Sequence, residues 1–369
     1  MMEKLDITKE SEENIIAKAV AVLRAGGLVI FPTETVYGIG ALATNQDAID
    51  KLLAYKTRRE GKPLSIAVYD GAMAEAYVEA NDVARNLYEN FLPGPITVVS
   101  RGKHKVAHGV ESEHGTLGIR IPDYPLIRNL VKKLGEPITA TSANASYKKK
   151  PYTVEDILSN ISEKQRHLID LILDAGELPK REPSTVVDTT TGEQLVLRQG
   201  DIKLTNSREK ISRTPEETQN IARTLMSTYK HYLGYKSFII ALEGEMGAGK
   251  TEFTKGIAAE LGIKTPIQSP TFIIEKEYEI ETVAESYTAT KHPMLYHLDT
   301  WRIADVESEL DALGIFDRIS DGHVFSVEWA NKATDFLNRV SENAIIVWVK
   351  IEHGDTQDTR KITISDFGQ

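Results

Sequence analysis

GEMGAGKT, residues 244 to 251, lies between the apolar run SFIIAL (Ser237 to Leu242) and the amphipathic segment EFTKGIAAEL (Glu252 to Leu261). The run reads as a buried strand and the segment as a helix, so the motif occupies a strand-to-helix turn. Glycines at 244, 247 and 249 let the backbone turn its N–H groups onto an anion with no Cβ in the way. Lys250 can then reach the outer phosphates of a nucleoside triphosphate, and the Thr251 hydroxyl can ligate magnesium at the helix N-terminus. With Glu245, Met246 and Ala248 completing the loop, these residues form a phosphate-binding P-loop. The half of the chain around it is therefore expected to be a P-loop α/β domain that binds ATP with Mg2+.

A P-loop needs an acid to hold the metal, at the end of a neighbouring hydrophobic strand. Asp299 closes the apolar run Met294 to Leu298 (MLYHL), and Glu328 closes Val324 to Val327 (VFSV). Both are expected at the metal beside Thr251. Ser269-Pro270-Thr271-Phe272 falls between helix and strand, where nucleotide-sensing segments belong. Trp301 and Trp329 follow the two acids and either pack near the nucleotide or fill the core.

Bulk properties set the frame. At 369 residues with 41% hydrophobic content, the chain exceeds the usual single-domain size and can bury two cores. DIKLTNSREKISR (Asp201 to Arg213) is polar and aperiodic, whereas Thr214-Pro215-Glu216-Glu217 supplies an N-cap, a proline at N1 and a capping-box acid. The expected organisation is a domain over 1–202, a linker over 203–213 and a second domain over 214–369. Cysteine is absent, which excludes disulfide frameworks, thiolate metal sites and cysteine nucleophiles. The first residues are charged, and no stretch of about 18 uncharged apolar residues occurs, so a cytoplasmic, soluble protein is expected. A net charge of -10 argues against a generally basic nucleic-acid surface and restricts any RNA contact to a local patch.

The first half contains no P-loop. Leu28 to Phe31 (LVIF) is a short apolar strand running into Pro32-Thr33-Glu34-Thr35-Val36-Tyr37-Gly38, a loop of hydroxyls able to hold a small polar ligand. Lys56, Arg58, Arg59 and Lys62 follow the helical segment Ala48 to Tyr55 and precede the strand Leu64 to Val68. Such a cluster either caps the helix dipole and faces solvent or clamps a polyphosphate. Arg120 in LGIRIP, Ser142 and Asn144 in ATSANAS, Ser184 and Thr185 in PSTVVD, and Arg198 in LVLRQG all sit beside apolar strands. Converging, they would line one pocket for a ligand with several anionic oxygens, since Arg grips carboxylate or phosphate bidentately. His104, His108 and His114 lie in a polar loop, and His104 and His108 have the spacing of a possible metal pair.

Two resemblances give these motifs a context. GEMGAGKTEFTKG, SPTF, HLDTWR, ELDALG and VEW occur in the order found in the small TsaE-type ATPases, over about 150 residues. That resemblance implies phosphate contacts at Lys250, the metal and hydrolysis site at Thr251, Asp299 and Glu328, with Glu328 catalytic, and a switch at Thr271. Glu252 stands where threonine is common, and Trp301 where tyrosine is usual. PTETVYG, KTRREGKPLSI, PGPIT, GIRIP, TSANAS, STVVD and LRQG match, in order, the YrdC/TsaC family of threonylcarbamoyl-AMP synthases over about residues 10–202. The resemblance implies a twisted open α/β sheet fold and condensation of L-threonine, bicarbonate and ATP with release of pyrophosphate. Thr35, Arg120, Ser142 and Ser184 would then hold threonine. Lys56, Arg58, Lys62, Thr116, Asn144, Thr153 and Arg198 would hold ATP, with Lys56 and Arg58 catalytic. Ala67 replaces a histidine of some members, and Tyr147-Lys148-Lys149-Lys150 replaces a turn of small residues.

Two activities of one tRNA-modification pathway on a single chain imply an enzyme that makes the activated intermediate and an ATPase that serves a separate transferase of the TsaD and TsaB type. A different class of function is an RNA-binding module with a nucleotide-switch P-loop domain, against which the missing basic stripe speaks. A small-molecule kinase would need lid arginines, and the sequence offers few.

Overall fold

The computed structural model describes residues 2–56, 64–144, 150–204, 207–234, 236–270, 273–280, 293–319, 321–341 and 343–365. The chain divides into two compact units: Met1–Val196 with Gly200–Lys203, and Leu197–Gln199 with Leu204–Gln369. Both are α/β.

The first unit starts from an amphipathic helix. Glu12–Arg24 is capped by Ser11, whose hydroxyl accepts from Asn14 N, and buries Ile15, Ala19 and Leu23, four residues apart on one face. That stripe packs with Leu126, Ile127, Leu130, Val131 and Leu134 of the helix Pro125–Leu134 over Val29, Phe31, Leu171 and Leu173 of a sheet. Burying each such side chain contributes about 1.5–3 kcal/mol. The sheet runs Glu3–Asp6, Leu171–Asp174, Val29–Phe31, Gly38–Gly40, Thr141–Ser142. A second sheet runs Leu195–Arg198, Thr185–Asp188, Ile96–Gly102, Thr116–Arg120, Ser65–Ala67, Ile138–Thr139, with Val78–Glu79 also paired to Ile96–Gly102.

The chain crosses directly from one sheet to the other. Ile138 and Thr139 pair with Ala67 and Ile66, and three residues later Ser142 pairs with Gly38. Thr139 Oγ1 accepts from Ala41 N at 3.0 Å, which ties the crossing to the strand Gly38–Gly40. Glycine is required there: a Cβ on Gly40 would lie 2.7 Å from the Phe31 ring and 2.8 Å from Thr139 O. The hydroxyl loop after Phe31 and the end of the strand Thr116–Arg120 are thereby brought side by side.

The second unit is one seven-stranded sheet in the order Ser207–Ser212, Arg360–Ser365, Ala344–His353, Ser237–Glu243, Val324–Glu328, Met294–Asp299, Glu275–Glu279. The four strands from Ala344–His353 to Met294–Asp299 are mutually parallel, and the two central ones, Ser237–Glu243 and Val324–Glu328, are buried almost throughout, as strands covered on both faces are. The helix Pro215–Tyr229 begins at Thr214, whose hydroxyl accepts from Glu217 N, with Pro215 in the first turn. Glu217 accepts from Arg213 N rather than closing back on Thr214. This helix crosses Lys250–Glu260 closely, where a Cβ on Gly256 would lie 2.2 Å from Gln219 O.

The expected linker over 203–213 is corrected here. Ser207–Ser212 is an edge strand, paired antiparallel to Arg360–Ser365 from Ser207↔Ser365 to Ser212↔Arg360. Its sequence SREKIS hides this, because an edge strand facing water carries charges that block further pairing and shows little apolar alternation. Among the described residues, no helix is long and apolar enough to cross a membrane.

Candidate active sites

In the second unit, Gly244 to Gly249 turns between the strand Ser237–Glu243 and the helix Lys250–Glu260 as the motif demands. Gly247 (φ 75°) and Gly249 (φ 110°) adopt left-handed conformations that a side chain would strain. A Cβ on Gly244 would lie 2.4 Å from Ile351 O. Lys250 Nζ donates to Gly244 O at 2.8 Å and Glu245 O at 2.9 Å and lies 4.1 Å from the Trp329 ring centroid. Burial pushes the Lys250 ammonium below its ordinary pKa, against the opposing pull of Glu328 and Asp299. An anion at the loop would oppose that shift.

The two acids lie where the strand pattern puts them. Glu328 pairs with Leu242 on the P-loop strand and with Asp299 on the next strand outward, and both carboxylates are buried. Thr251 Oγ1 donates to Glu328 Oε1 at 2.8 Å. The same oxygen bonds His297 Nε2 at 2.9 Å; His297 is fully buried. Asp299 Oδ1 accepts from Trp301 N. Two carboxylates and a hydroxyl are hard oxygen donors that fit magnesium, which takes one or two carboxylates and completes its shell with water and substrate phosphates. Among the described residues no cluster of three or more His, Cys, Asp and Glu is arranged for a metal.

Both tryptophans belong to this site. Trp301 stacks on Trp329 with centroids 4.2 Å apart and is 40% exposed; Met246, at the tip of the loop, is 71% exposed. Trp329 takes φ 59°, a conformation uncommon outside glycine, and Thr300 Oγ1 holds the turn through Glu328 O and Trp329 O. Thr271 lies outside the described residues. Sequence reasoning missed two contacts. His297 sits within the quoted HLDTWR but was read only as part of an apolar strand. Arg360, 109 positions after Thr251, donates through Nε to Ala248 O at 2.9 Å and through a terminal nitrogen to Gly247 O at 3.4 Å. No local signal marks Arg360, because only the pairing of Arg360–Ser365 with Ala344–His353 carries it to the loop.

In the first unit the site is assembled from separate segments. Thr33 organises the loop after Phe31: its hydroxyl donates to Val36 O at 2.7 Å and accepts from Thr35 N and Val36 N. That places Thr35 Oγ1 3.1 Å from Thr33 Oγ1 and turns Glu34 toward Arg120, which it pairs at 2.5 Å. Both side chains of the pair are about nine-tenths buried, and Glu34 Oε2 and Arg120 Nε are buried without partners. A buried Arg with unused donors is costly unless a further anion completes it. Arg120 pairs in register with Ala67, so the substituted position borders it directly.

The neighbouring strand adds a pair of hydroxyls. Val98 faces Ile119, so Thr97 and Arg120 are next along the same ladder, and Thr97 Oγ1 lies 2.9 Å from Ser184 Oγ. Ser142 is exposed opposite Gly38, and Lys56 Nζ donates to Ser142 O at 2.8 Å and Asn144 O at 2.7 Å. The buried Lys56 thus grips the Ser142–Asn144 segment through its backbone. Thr153 caps the helix Val154–Leu158, its hydroxyl accepting from Asp156 N, just after Pro151 O accepts from Tyr37 N. Arg198 closes the edge strand Leu195–Arg198.

Thr116 stands at the other end of the strand from Arg120. It opens the strand that Arg120 closes, about 13 Å away at strand rise, and its hydroxyl bonds Ser112 Oγ at 2.7 Å. Arg58, Lys62, Lys148 and Lys149 lie outside the described residues, while Lys150 pairs with Glu182. His104 bonds Glu111 rather than His108.

Comparison with known proteins agrees with the division into units. Residues 21–200 match the Sua5_yciO_yrdC family model, described as "Telomere recombination", and residues 212–362 match "Threonylcarbamoyl adenosine biosynthesis protein TsaE". A "Putative threonylcarbamoyl-AMP synthase" of Methanocaldococcus jannaschii is 34% identical over 199 residues, spanning 54% of this chain and 92% of the relative. The "Threonylcarbamoyl-AMP synthase" of Bacillus subtilis is 35% identical over 206 residues, 54% of this chain but 57% of the longer relative. Pyrococcus abyssi Sua5, solved in complex with L-threonine, is alike in fold, with a TM-score of 0.51 and 22% identity over 96% of this chain and all of that one. The chain therefore belongs to the Sua5/YciO/YrdC family through its first unit and carries a TsaE-family P-loop ATPase as its second.

Proposed function

We propose that the first unit is an L-threonylcarbamoyladenylate synthase and that the second hydrolyses ATP in support of a separate TsaD/TsaB-type threonylcarbamoyl transferase. The observation that best supports the synthase assignment is the buried Arg120, held by Glu34 with a donor to spare and next along its ladder to Thr97, which bonds Ser184. An arginine so placed suits the carboxylate of an amino acid, and the hydroxyls suit its polar side chain.

Threonine nitrogen takes up bicarbonate as a carbamate with loss of water. A carbamate oxygen then attacks the α-phosphorus of ATP, and the bond to the β-phosphate breaks to release pyrophosphate. No protein nucleophile is needed. Catalysis rests on alignment and on cations facing the charge that develops on the phosphates. Lys56 fixes the Ser142–Asn144 segment; Arg58, Lys62, Asn144, Thr153 and Arg198 are assigned to ATP by the family resemblance.

In the second unit, Gly244 to Gly249 would receive the phosphates, and Thr251, Asp299 and Glu328 would hold Mg2+. The ion, when bound, neutralises charge between the outer phosphates. Glu328 would orient the attacking water. The shared oxygen Oε1, taken by Thr251 and His297, supports that role by fixing the carboxylate plane. Joining the two activities raises their effective concentration at one transferase. tRNA would be met indirectly, through that partner, or at a local basic patch.

Labelled bicarbonate, L-threonine and ATP incubated with the protein should yield pyrophosphate and a labelled adenylate. An adenylate formed without threonine, or none at all, would refute the synthase assignment.

A further inference from the structure

The carbonyl oxygens of the P-loop are gathered by two cations, one from within the motif and one from outside it. Lys250 takes Gly244 O and Glu245 O; Arg360 takes Ala248 O and approaches Gly247 O. Arg360 opens the strand Arg360–Ser365, and its other terminal nitrogen donates to Gln357 O at 2.6 Å and Thr359 O at 2.9 Å. The guanidinium is thus anchored to the hairpin that joins Ala344–His353 to Arg360–Ser365. The same hairpin's Ile351 carbonyl abuts Gly244 so closely that only glycine fits.

These contacts fall on particular peptides. The Gly247 carbonyl belongs to the peptide whose N–H is that of Ala248, and the Ala248 carbonyl to the peptide whose N–H is that of Gly249. A donor on a carbonyl fixes its peptide plane, and a cationic donor polarises the peptide, so the N–H on its far side becomes a stronger donor. Ala248 N–H already bonds Glu245 O at 3.2 Å within the turn. Gly249 holds φ 110° at the first turn of the helix, where the loop has no side chain to brace it.

We propose that Arg360 is a positioning residue of the ATPase site, which presets the Ala248 and Gly249 peptides for phosphate from the outer face of the loop. This rests on the P-loop being a nucleotide site. Arg360 touches loop carbonyls, so on this proposal it acts on phosphate only through the loop. Its loss should therefore weaken nucleotide binding without unfolding a unit whose sheet is otherwise intact.

The test is ADP affinity with Mg2+, measured by calorimetry on the full chain, for wild type and the variants Arg360→Met, Arg360→Lys and Lys250→Ala, with melting of each nucleotide-free protein as control. Removing a charge-assisted contact to the loop should weaken ADP about tenfold in Arg360→Met. Arg360→Lys should recover part of that loss, and the melting temperature should stay close to wild type. ADP affinity within twofold of wild type in Arg360→Met overturns the proposal. So does a loss matched by melting of the nucleotide-free protein well below wild type, which marks a merely structural residue. If Lys250→Ala binds ADP as wild type does, the nucleotide site itself is misassigned; if Lys250→Ala loses ADP and Arg360→Met does not, only the role of Arg360 fails.

Discussion

In the second unit the candidate phosphate ligands are eight consecutive residues, Gly244 to Thr251, while in the first unit Thr35, Arg120, Ser142 and Ser184 come from four separate segments on two sheets. The contiguous site works with backbone donors, and its geometry is set by glycine conformations and by the cations Lys250 and Arg360. The dispersed site works with side chains, and its geometry is set by strand register across the crossing at Ile138–Ser142. A damaged loop should therefore lose function and keep its fold. A damaged residue of the dispersed site should cost both.

The largest effect expected on the contiguous side is at Glu328. Glu328→Gln should lower single-turnover ATP hydrolysis about 10²- to 10³-fold, the scale of losing a preorganised polar group at the reacting centre, a far larger loss than that of ADP affinity with Mg2+. Equal losses in both would make Glu328 a binding residue and remove its assignment to the water.

On the dispersed side, Arg120→Ala should cut threonine-dependent adenylate formation about a hundredfold and also destabilise the first unit by about 3–5 kcal/mol, since Glu34 is left as an uncompensated buried charge. The double variant Glu34→Gln with Arg120→Met should regain stability in thermal unfolding and stay inactive. If stability and activity return together, Arg120 is structural and the contrast between the two sites collapses.

A smaller effect is expected at His297, which touches Glu328 and no nucleotide. His297→Leu should lower kcat for ATP about tenfold with little change in ADP affinity, and His297→Gln, which keeps a donor toward Glu328, should recover most of it. Smallest of all, Thr214→Ala removes the cap of Pro215–Tyr229 and should lower stability by about 1 kcal/mol with both activities unchanged.

Legibility followed the same division. GEMGAGKT, its strand and helix, and the acids Asp299 and Glu328 could be read from the sequence because glycine conformation, a buried apolar run and a strand-end carboxylate are local signals. The elements of the first unit were legible too, as LVIF and the helical segment Ala48 to Tyr55 show. What those elements bring together was not. The Glu34–Arg120 pair joins residues 86 positions apart, and nothing in PTETVYG says that its acid faces an arginine. Lys56 reads as a phosphate ligand from its cluster, yet its ammonium is engaged by two backbone carbonyls, a bond that depends on where the segment Ser142–Asn144 passes. Thr116, an ATP ligand by resemblance, stands at the opposite end of its strand from Arg120. The charged edge strand Ser207–Ser212 escaped notice because SREKIS shows little apolar alternation and its pairing partner, Arg360–Ser365, lies far along the chain.

The central claim is that this chain holds two independent nucleotide sites, of which only the first makes the adenylate. Lys250→Ala in the full chain, supplied with labelled bicarbonate, L-threonine and ATP, tests it most directly. The account predicts threonine-dependent adenylate and pyrophosphate at the wild-type rate alongside a loss of ATP binding at the P-loop. Loss of adenylate formation in Lys250→Ala would contradict it.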